Sequence, residues 1–206
     1  MTTVNPWLYA IVLPISRLFL TLYFHQIRII GKENLPATGP VVIAPKHYSR
    51  WDPLIVSCLS TEALYYMTHH HEFEQSYSWL LKNLGAFPVN RDKPSVSSLR
   101  FPIELLQAKK KLVVFPEGGI VRDQPLRKLK PGLARLVMQA ESLGKGDLTV
   151  PIVPVGLHYE PDAERGGKVI VKIAPPLLVE EYRQGKDKET ALALTQALEA
   201  ALLANC

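Results

Sequence analysis

Two short runs of consecutive apolar residues constrain the fold of this chain more than any other feature. They are Val41–Ala44 and Leu112–Phe115, and neither shows the apolar–polar alternation of a strand with one solvated face. Strands have this composition when other elements cover both faces of their sheet. Segments with helical periodicity separate these and the other strand-like runs. The sequence therefore predicts an α/β fold in which a layered mixed sheet is flanked by helices.

The same periodicity predicts five more strands and five helices. The further strands are Gln26–Ile30, Leu64–Met67, Phe87–Val89, Ile152–Leu157 and Val169–Ile173. The helices are Asp52–Leu59, Glu72–Leu84, Val96–Lys109, Gly132–Leu143 and Lys188–Leu203.

The composition excludes several classes of protein. Of the 206 residues 47% are hydrophobic and 21% charged, which is typical of a globular chain and not of a disordered one. Two cysteines, Cys58 and Cys206, exclude a disulfide framework and a four-cysteine zinc site. The net charge of +5 fits a phosphate-bearing partner. Nucleic acid is disfavoured because no binding motif accompanies the charge.

The amino-terminal segment from Trp7 to Phe24 carries a single charge, Arg17. As a helix it would be about 27 Å long, just short of the hydrocarbon core of a bilayer. A span would be kinked by Pro14 and would hold Arg17 near its centre at a cost of about 3 kcal/mol. A secretory signal is disfavoured because no basic residue precedes the apolar run.

We therefore expect an amphipathic helix in the membrane interface, with Arg17 reaching toward the head groups. The alternative is an ordinary helix buried against the core. The residues expected to contact the membrane are Trp7, Leu8, Ile11, Ile15, Phe19 and Tyr23.

A histidine and an aspartate follow the first buried strand, in the block KHYSRWDP at residues 46–53. Asp52 and Pro53 are typical of a helix start, with Asp52 as the cap. The turn before the helix can then fold the His47 imidazole onto the Asp52 carboxylate. Such a contact fixes the tautomer and leaves the other ring nitrogen free to act as a base. The alternative is that Asp52 only caps the helix and His47 is a loop residue.

Three further blocks carry chemistry. FPEGG at residues 115–119 follows the second buried strand and precedes a basic segment, residues 122–135, that can bind phosphate or an anionic surface. GAFPVNRD at residues 85–92 presents Arg91 at the end of a short strand, with an ion pair to Asp92 as the alternative. VPIVPVGL at residues 150–157 contains two prolines, which are typical of a sheet edge or of the wall of an apolar pocket.

In order and spacing, these four blocks resemble the glycerophospholipid acyltransferase family, in particular the 1-acylglycerol-3-phosphate (lysophosphatidate) acyltransferases. The resemblance runs from about Arg28 to Leu157 and includes the lead-in GKENLP at residues 31–36. It implies that His47 is the general base and Asp52 its partner. It also assigns roles in substrate binding: the acceptor phosphate to Arg91, the acceptor site to Phe115, Glu117 and Gly118, and the acyl pocket to Pro154.

The chain departs from the family pattern at two places. Lys46 stands where the family commonly has asparagine, and the run GIVR at residues 119–122 follows Gly118 where the family usually has threonine, arginine and serine. Arg122 is the candidate replacement for that arginine. Backbone amides near Gly118 and Gly119 are candidates for stabilising an oxyanion.

The resemblance implies acyl transfer from acyl carrier protein or acyl-CoA to the free hydroxyl of a lysophospholipid, foremost lysophosphatidate, without a cofactor or a metal. Another acceptor, such as glycerol-3-phosphate, and a non-catalytic lipid-binding protein are the alternatives. Residues 1–25 would form a membrane-interface helix and residues 26–206 the catalytic domain. The expected location is the cytoplasmic face of a membrane, as a peripheral or monotopic protein.

Two polar runs are interpreted as structural. The three histidines His69–His71 indicate a polar helix start, because consecutive side chains point in different directions and no other ligands stand at zinc spacing. Lys109–Lys111 is expected to be a solvated helix end, where positive charges interact favourably with the helix dipole.

Overall fold

A mixed sheet of seven strands organises the computed structural model, which describes residues 4–89, 96–144 and 147–205. The strands are β1 (Gln26–Ile30), β2 (Val41–Pro45), β3 (Leu64–His69), β4 (Ala86–Val89), β5 (Lys111–Val113), β6 (Ile152–Glu160) and β7 (Lys168–Ile173). The α-helices are α1 (Pro6–Tyr23), α2 (Asp52–Ser57), α3 (Ser78–Asn83), α4 (Val96–Gln107), α5 (Gly132–Leu143) and α6 (Asp187–Asn205).

The strand order is β1-β7-β6-β2-β5-β3-β4, and all neighbouring pairs are parallel except β6 and β7. The carboxyl ends of β2, β5, β3 and β6 therefore lie at one edge of the sheet, where ligand sites of open α/β sheets are found. The predicted mixed α/β architecture is confirmed.

The two faces of β2 are buried by different helices. Val42 and Ala44 pack in an apolar cluster with residues of α4, α5 and α6. Val41 and Ile43 point to the other face and pack with residues of α1 and α2. The absence of polar alternation in β2 has the predicted cause, because both faces of the sheet are covered.

The position of Pro154 corrects one expectation. Its strand, β6, lies inside the sheet between β2 and β7, so the prediction that this strand lies at the edge of the sheet is wrong. Proline is tolerated because its missing N–H falls on the β7 side, beyond the regular pairing that begins at Val155 and Ile173. The Pro154 carbonyl still accepts a hydrogen bond from the Ala174 N–H (3.0 Å).

Two other segments differ from the sequence-based expectations. The predicted helix Glu72–Leu84 is divided into a 3₁₀ helix, His70–Glu74, and α3, because Gln75 is extended (φ −82°, ψ 157°). Lys111 is buried at the start of β5, where its ammonium donates to the carbonyls of Pro36 and Ala37. The expected solvated helix end is therefore wrong for Lys111.

Helix α1 leaves most of its apolar surface in solvent. Trp7 is 81% exposed and Leu22 72%, whereas Ser16 and Leu20 are buried. Helix α1 is therefore not an ordinary core helix. Among the described residues it is the helix that is long and apolar enough to cross a membrane. The other residues of its exposed apolar face are Ile11, Ile15, Leu18 and Phe19.

One side of α1 is attached to the domain next to α2. Arg17 donates to the carbonyls of Cys58 (3.3 Å) and Ser60 (3.4 Å), so the expectation that it reaches toward head groups is wrong. These carbonyls lie just after the last turn of α2, where backbone acceptors lack helical partners.

We call Phe19, Tyr23 and Trp51 the aromatic clamp, because the Trp51 ring lies 5.4 Å from that of Phe19 and 4.7 Å from that of Tyr23.

The turn after β1 generates a stability prediction. Gly31 has a φ of +76°, and a Cβ there would lie 2.2 Å from the Ile173 carbonyl oxygen. Gly39 has a similar φ of +91°, with nothing within 4 Å of a Cβ. We expect Gly39→Ala to lower the free energy of unfolding by about 1–2 kcal/mol, through backbone strain alone. Gly31→Ala should lower the free energy of unfolding by at least about 2 kcal/mol more than Gly39→Ala does, because the Ile173 backbone must also shift. Urea unfolding measures both variants, and equal losses would contradict the clash.

Candidate active site

The loop after β2 brings His47 and Asp52 together at the carboxyl edge of the sheet. His47 Nδ1 lies 2.9 Å from Asp52 Oδ2. The same oxygen accepts hydrogen bonds from the backbone N–H groups of Tyr48 and Ser49, both at 2.7 Å. The predicted contact between the two side chains is present.

The helix cap differs by one residue from the sequence-based expectation. Asp52 is the first residue of α2, and Trp51 stands at the cap position. The Asp52 side chain accepts from the amides that precede it and not from those of the helix, because the loop folds around the carboxylate. This carboxylate therefore shapes the loop that carries His47.

Tyr159, in β6, supplies a fourth donor to Asp52. Its hydroxyl donates to Asp52 Oδ1, and Asp52 has no exposed surface. Burial, followed by the charge of Asp52 and this hydrogen bond, raises the pKa of Tyr159. The phenol therefore keeps its proton and acts as a donor. Sequence reasoning missed Tyr159; the signal was its even spacing from Val155 and Leu157, which places it on the same face of β6.

The orientation of the His47 ring follows from these contacts. An ionised carboxylate only accepts hydrogen bonds, so the Asp52 contact assigns the proton to Nδ1 and leaves a lone pair on Nε2. The ring stacks on Phe115, with centroids 4.1 Å apart and planes inclined by 28°. The His47 side chain is 16% exposed. A substrate can therefore approach a ring that is fixed on two sides.

Glu117 holds the backbone of His47 from the opposite direction. Its Oε2 accepts from the His47 N–H (2.9 Å), and its Oε1 accepts from Lys46 Nζ (2.8 Å) and the Arg127 N–H (3.0 Å). The Val121 N–H donates to the His47 carbonyl (2.8 Å). The side chains of Glu117 and Lys46 are 0% and 4% exposed, so Glu117 positions the loop and presents no surface to an acceptor.

The FPEGG block forms a tight turn beside His47. The Gly118 N–H donates to the Phe115 carbonyl (3.0 Å), and Gly118 has a φ of +73° that favours glycine. Gly118 and Gly119 are both partly exposed. Gly118 therefore allows the chain to turn sharply directly after Glu117, whose side chain is buried.

Arg122 lies on the exposed side of the same loop. Its Nε donates to the Tyr48 carbonyl (3.0 Å), and its guanidinium lies 5.1 Å from the centroid of the Tyr48 ring. The other basic residues of the segment are exposed as well, namely Arg127, Lys128, Lys130 and Arg135. Arg91 lies outside the described residues. Pro154 is buried in β6 beside Ala44, near the end of β2.

Comparison with known proteins identifies the family. Residues 26–158 match the protein-family model described as Acyltransferase. The chain belongs to the acyltransferase family. This acyltransferase is 32% identical over 178 residues to the 1-acyl-sn-glycerol-3-phosphate acyltransferase of Bacillus subtilis, with 84% of each protein covered. It is 30% identical over 82 residues to the 1-acyl-sn-glycerol-3-phosphate acyltransferase of Streptococcus pneumoniae, covering 38% of this chain and 31% of that protein.

A solved structure shares the fold of this acyltransferase. The 1-acyl-sn-glycerophosphate (LPA) acyltransferase PlsC from Thermotoga maritima superposes with a TM-score of 0.69 at 18% identity. The superposition covers 94% of this chain and 78% of the Thermotoga protein. The resemblance drawn from the four sequence blocks and the predicted fold class are both confirmed.

The buried ion pair of this acyltransferase generates a second stability prediction. Glu117→Gln leaves the Lys46 ammonium buried without a countercharge, so we expect the free energy of unfolding to fall by about 3–5 kcal/mol. Lys46→Met combined with Glu117→Gln should lose less than Glu117→Gln alone, because no uncompensated charge remains. Glu180→Gln, which removes the exposed pair with Arg183, is the control and should change stability little. Urea unfolding of the four proteins tests the pair, and a double variant no more stable than Glu117→Gln would contradict it.

Proposed function

We propose that this acyltransferase transfers a fatty acyl group from a thioester donor to the free hydroxyl of lysophosphatidate, giving phosphatidate. The observation that carries the proposal is the His47–Asp52 contact, in a chain whose relative at 32% identity is a 1-acyl-sn-glycerol-3-phosphate acyltransferase. A partly exposed imidazole oriented by a buried carboxylate is suited to general-base catalysis. Acyl carrier protein and coenzyme A both supply acyl thioesters.

In the proposed reaction, His47 Nε2 takes the proton from the acceptor hydroxyl while that oxygen attacks the carbonyl carbon of the thioester. The tetrahedral intermediate then breaks its C–S bond, and the proton passes from His47 to the departing thiolate. The Gly118 N–H already donates to the Phe115 carbonyl, so we assign stabilisation of the oxyanion to the Gly119 N–H.

Asp52 and Tyr159 would act through His47. Asp52 holds the proton on Nδ1 and stabilises the imidazolium that forms during the reaction. Tyr159 and the Tyr48 and Ser49 amides keep the carboxylate in place, so that Asp52 neither rotates nor takes up the proton itself. Tyr159 is thus a positioning residue in this proposal.

Arg122 is the best-placed group for the acceptor phosphate among the described residues. It is exposed, its Nε bond to the Tyr48 carbonyl fixes its position, and Tyr48 follows His47 in the chain. Its remaining N–H groups can bind a phosphate in bidentate fashion. Lys128 and Lys130 add positive charge to the same segment. The role of Arg91 in phosphate binding remains a prediction of the resemblance.

Acyl transfer is tested with purified protein, radiolabelled acyl-CoA or acyl carrier protein thioester, and vesicles that contain lysophosphatidate. We expect His47→Ala to lower kcat by about 10²–10⁴-fold. Tyr159→Phe should lower kcat by roughly 10-fold, because the Asp52 carboxylate loses one of its donors. His25→Ala, at an exposed histidine outside the site, is the control. Undiminished turnover of folded His47→Ala would overturn the mechanism, and absence of product from the wild-type protein with either donor would indicate a lipid-binding module.

The acceptor is tested by comparing lysophosphatidate, glycerol-3-phosphate and a zwitterionic lysolipid. Arg122→Gln should raise the KM for the two anionic acceptors and leave that for the zwitterionic lysolipid unchanged, since only a phosphate monoester offers a dianion to the guanidinium. Faster turnover of glycerol-3-phosphate than of lysophosphatidate would replace the proposed acceptor.

We also propose that the exposed apolar face of α1 binds the membrane interface on the cytoplasmic side, near the lysolipid. The face includes Trp7, Ile11, Ile15 and Phe19, whereas Leu8 and Tyr23 are partly buried against the protein and contribute less. An amphipathic helix of this kind binds through its buried apolar area.

Membrane binding is tested by co-sedimentation with vesicles of mixed zwitterionic and anionic lipid. Two isoleucines that become fully buried in the lipid contribute at least about 3 kcal/mol to the free energy of vesicle binding. Ile11→Glu with Ile15→Glu should therefore weaken binding by at least about 100-fold. Leu192→Glu with Leu203→Glu is the control, because these exposed residues lie on α6. Equal vesicle binding by the two double variants would exclude the α1 face.

A further inference from the structure

Three consecutive histidines converge at the carboxyl end of β3. His69 is the last residue of the strand, and His70 and His71 begin the 3₁₀ helix His70–Glu74. The three ring centroids are 4.1–4.7 Å apart, and one ligand nitrogen from each ring lies within 4.8 Å of the other two. The expectation that these side chains point in different directions is wrong, because the change from strand to 3₁₀ helix turns them toward one another.

His70 carries an unsatisfied polar atom inside this cluster. Its Nδ1 is buried, and in the part of the chain that the structure describes it has no hydrogen-bond partner. Buried polar atoms normally have a partner, so an unpaired one is expected to bind a water molecule or an ion. An imidazole nitrogen with a free lone pair binds metal ions readily.

Glu74 orients the most exposed ring of the cluster. His71 Nδ1 lies 3.1 Å from Glu74 Oε2, so the carboxylate holds the proton on Nδ1 and leaves Nε2 for a ligand. Metal-bound histidines are commonly held by a carboxylate in this way. The His71 side chain is 61% exposed, which gives an ion a path from solvent.

We propose that His69, His70 and His71 bind a divalent transition-metal cation, such as Zn²⁺, with Glu74 as the carboxylate that orients His71. Three imidazoles favour zinc, cobalt, nickel or copper over magnesium and calcium, which prefer oxygen ligands. Zinc–nitrogen distances of about 2.0–2.1 Å place tetrahedral ligand nitrogens roughly 3.3 Å apart. Rotations of the imidazoles, of which His71 is the most exposed, would bring the nitrogens to that spacing, and a water molecule would complete four ligands.

The site lies at the same edge of the sheet as His47 but on another strand. In the strand order, β5 separates β3 from β2, so the histidine cluster is apart from the His47–Asp52 contact. A metal ion there would tie the end of β3 to the first turn of the 3₁₀ helix. The proposal is therefore structural and does not depend on the proposed acyl transfer.

The site is tested with the full chain, without a histidine tag, by titrating Zn²⁺ alone in a calorimeter. We expect one ion per chain, and at least 10-fold weaker binding for His70→Gln and for the more exposed His71→Gln. Cobalt should give the intense visible absorption of a tetrahedral Co²⁺ complex with nitrogen ligands. His25→Gln is the matched control, because this exposed histidine lies outside the cluster, and it should bind as the wild type does.

Thermal unfolding distinguishes a folded site from three histidines that bind independently of the fold. An ion that binds the native state more tightly than the unfolded chain raises Tm. Saturating Zn²⁺ should therefore raise the Tm of the wild type and of His25→Gln, and should leave the Tm of His70→Gln unchanged. Failure to bind one ion per chain, an unchanged wild-type Tm, or equal Zn²⁺ affinity of wild type and His70→Gln would overturn the proposal.

Discussion

The buried carboxylate of Asp52 is the constraint on which the candidate active site depends. A charged group without exposed surface is tolerated only when hydrogen-bond donors replace its water. Here the donors come from the His47 ring, the Tyr48 and Ser49 amides and the Tyr159 hydroxyl. The carboxylate thus joins the loop after β2 to β6, and the direction in which His47 presents its second nitrogen follows from that arrangement.

The ion pair between Lys46 and Glu117 fixes the other side of the same loop. Because Glu117 accepts from the His47 N–H and Val121 donates to the His47 carbonyl, both backbone polar groups of His47 are bound by the segment after β5. His47 is therefore held through its side chain by one element and through its backbone by another. Such double fixation reduces the reorganisation that a general base needs before it reacts.

The sequence was sufficient for the features that depend on local pattern. Apolar composition predicted the buried strands, and the helix start at Asp52 and Pro53 predicted the turn before it that brings His47 onto Asp52. The spacing of Tyr159 indicates only its face of β6; its contact with Asp52 could not be predicted, because the two residues lie 107 positions apart and meet only through the order of the strands. The sheet edge predicted from Pro154 was wrong for the same reason, because whether a missing N–H matters depends on which strand lies on that side.

The aromatic clamp makes α1 part of the folded domain as well as its proposed contact with lipid. Trp51 precedes Asp52 and packs on two rings of α1, while Leu20 and Phe24 are buried in the same core as β2. Cutting the chain after residue 25 would therefore uncover the core beside the loop of His47, and lost activity in such a fragment would say nothing about lipid. Removing the proposed lipid contact without exposing the core therefore requires replacement of the outward-facing side chains of α1, with its inward face left intact.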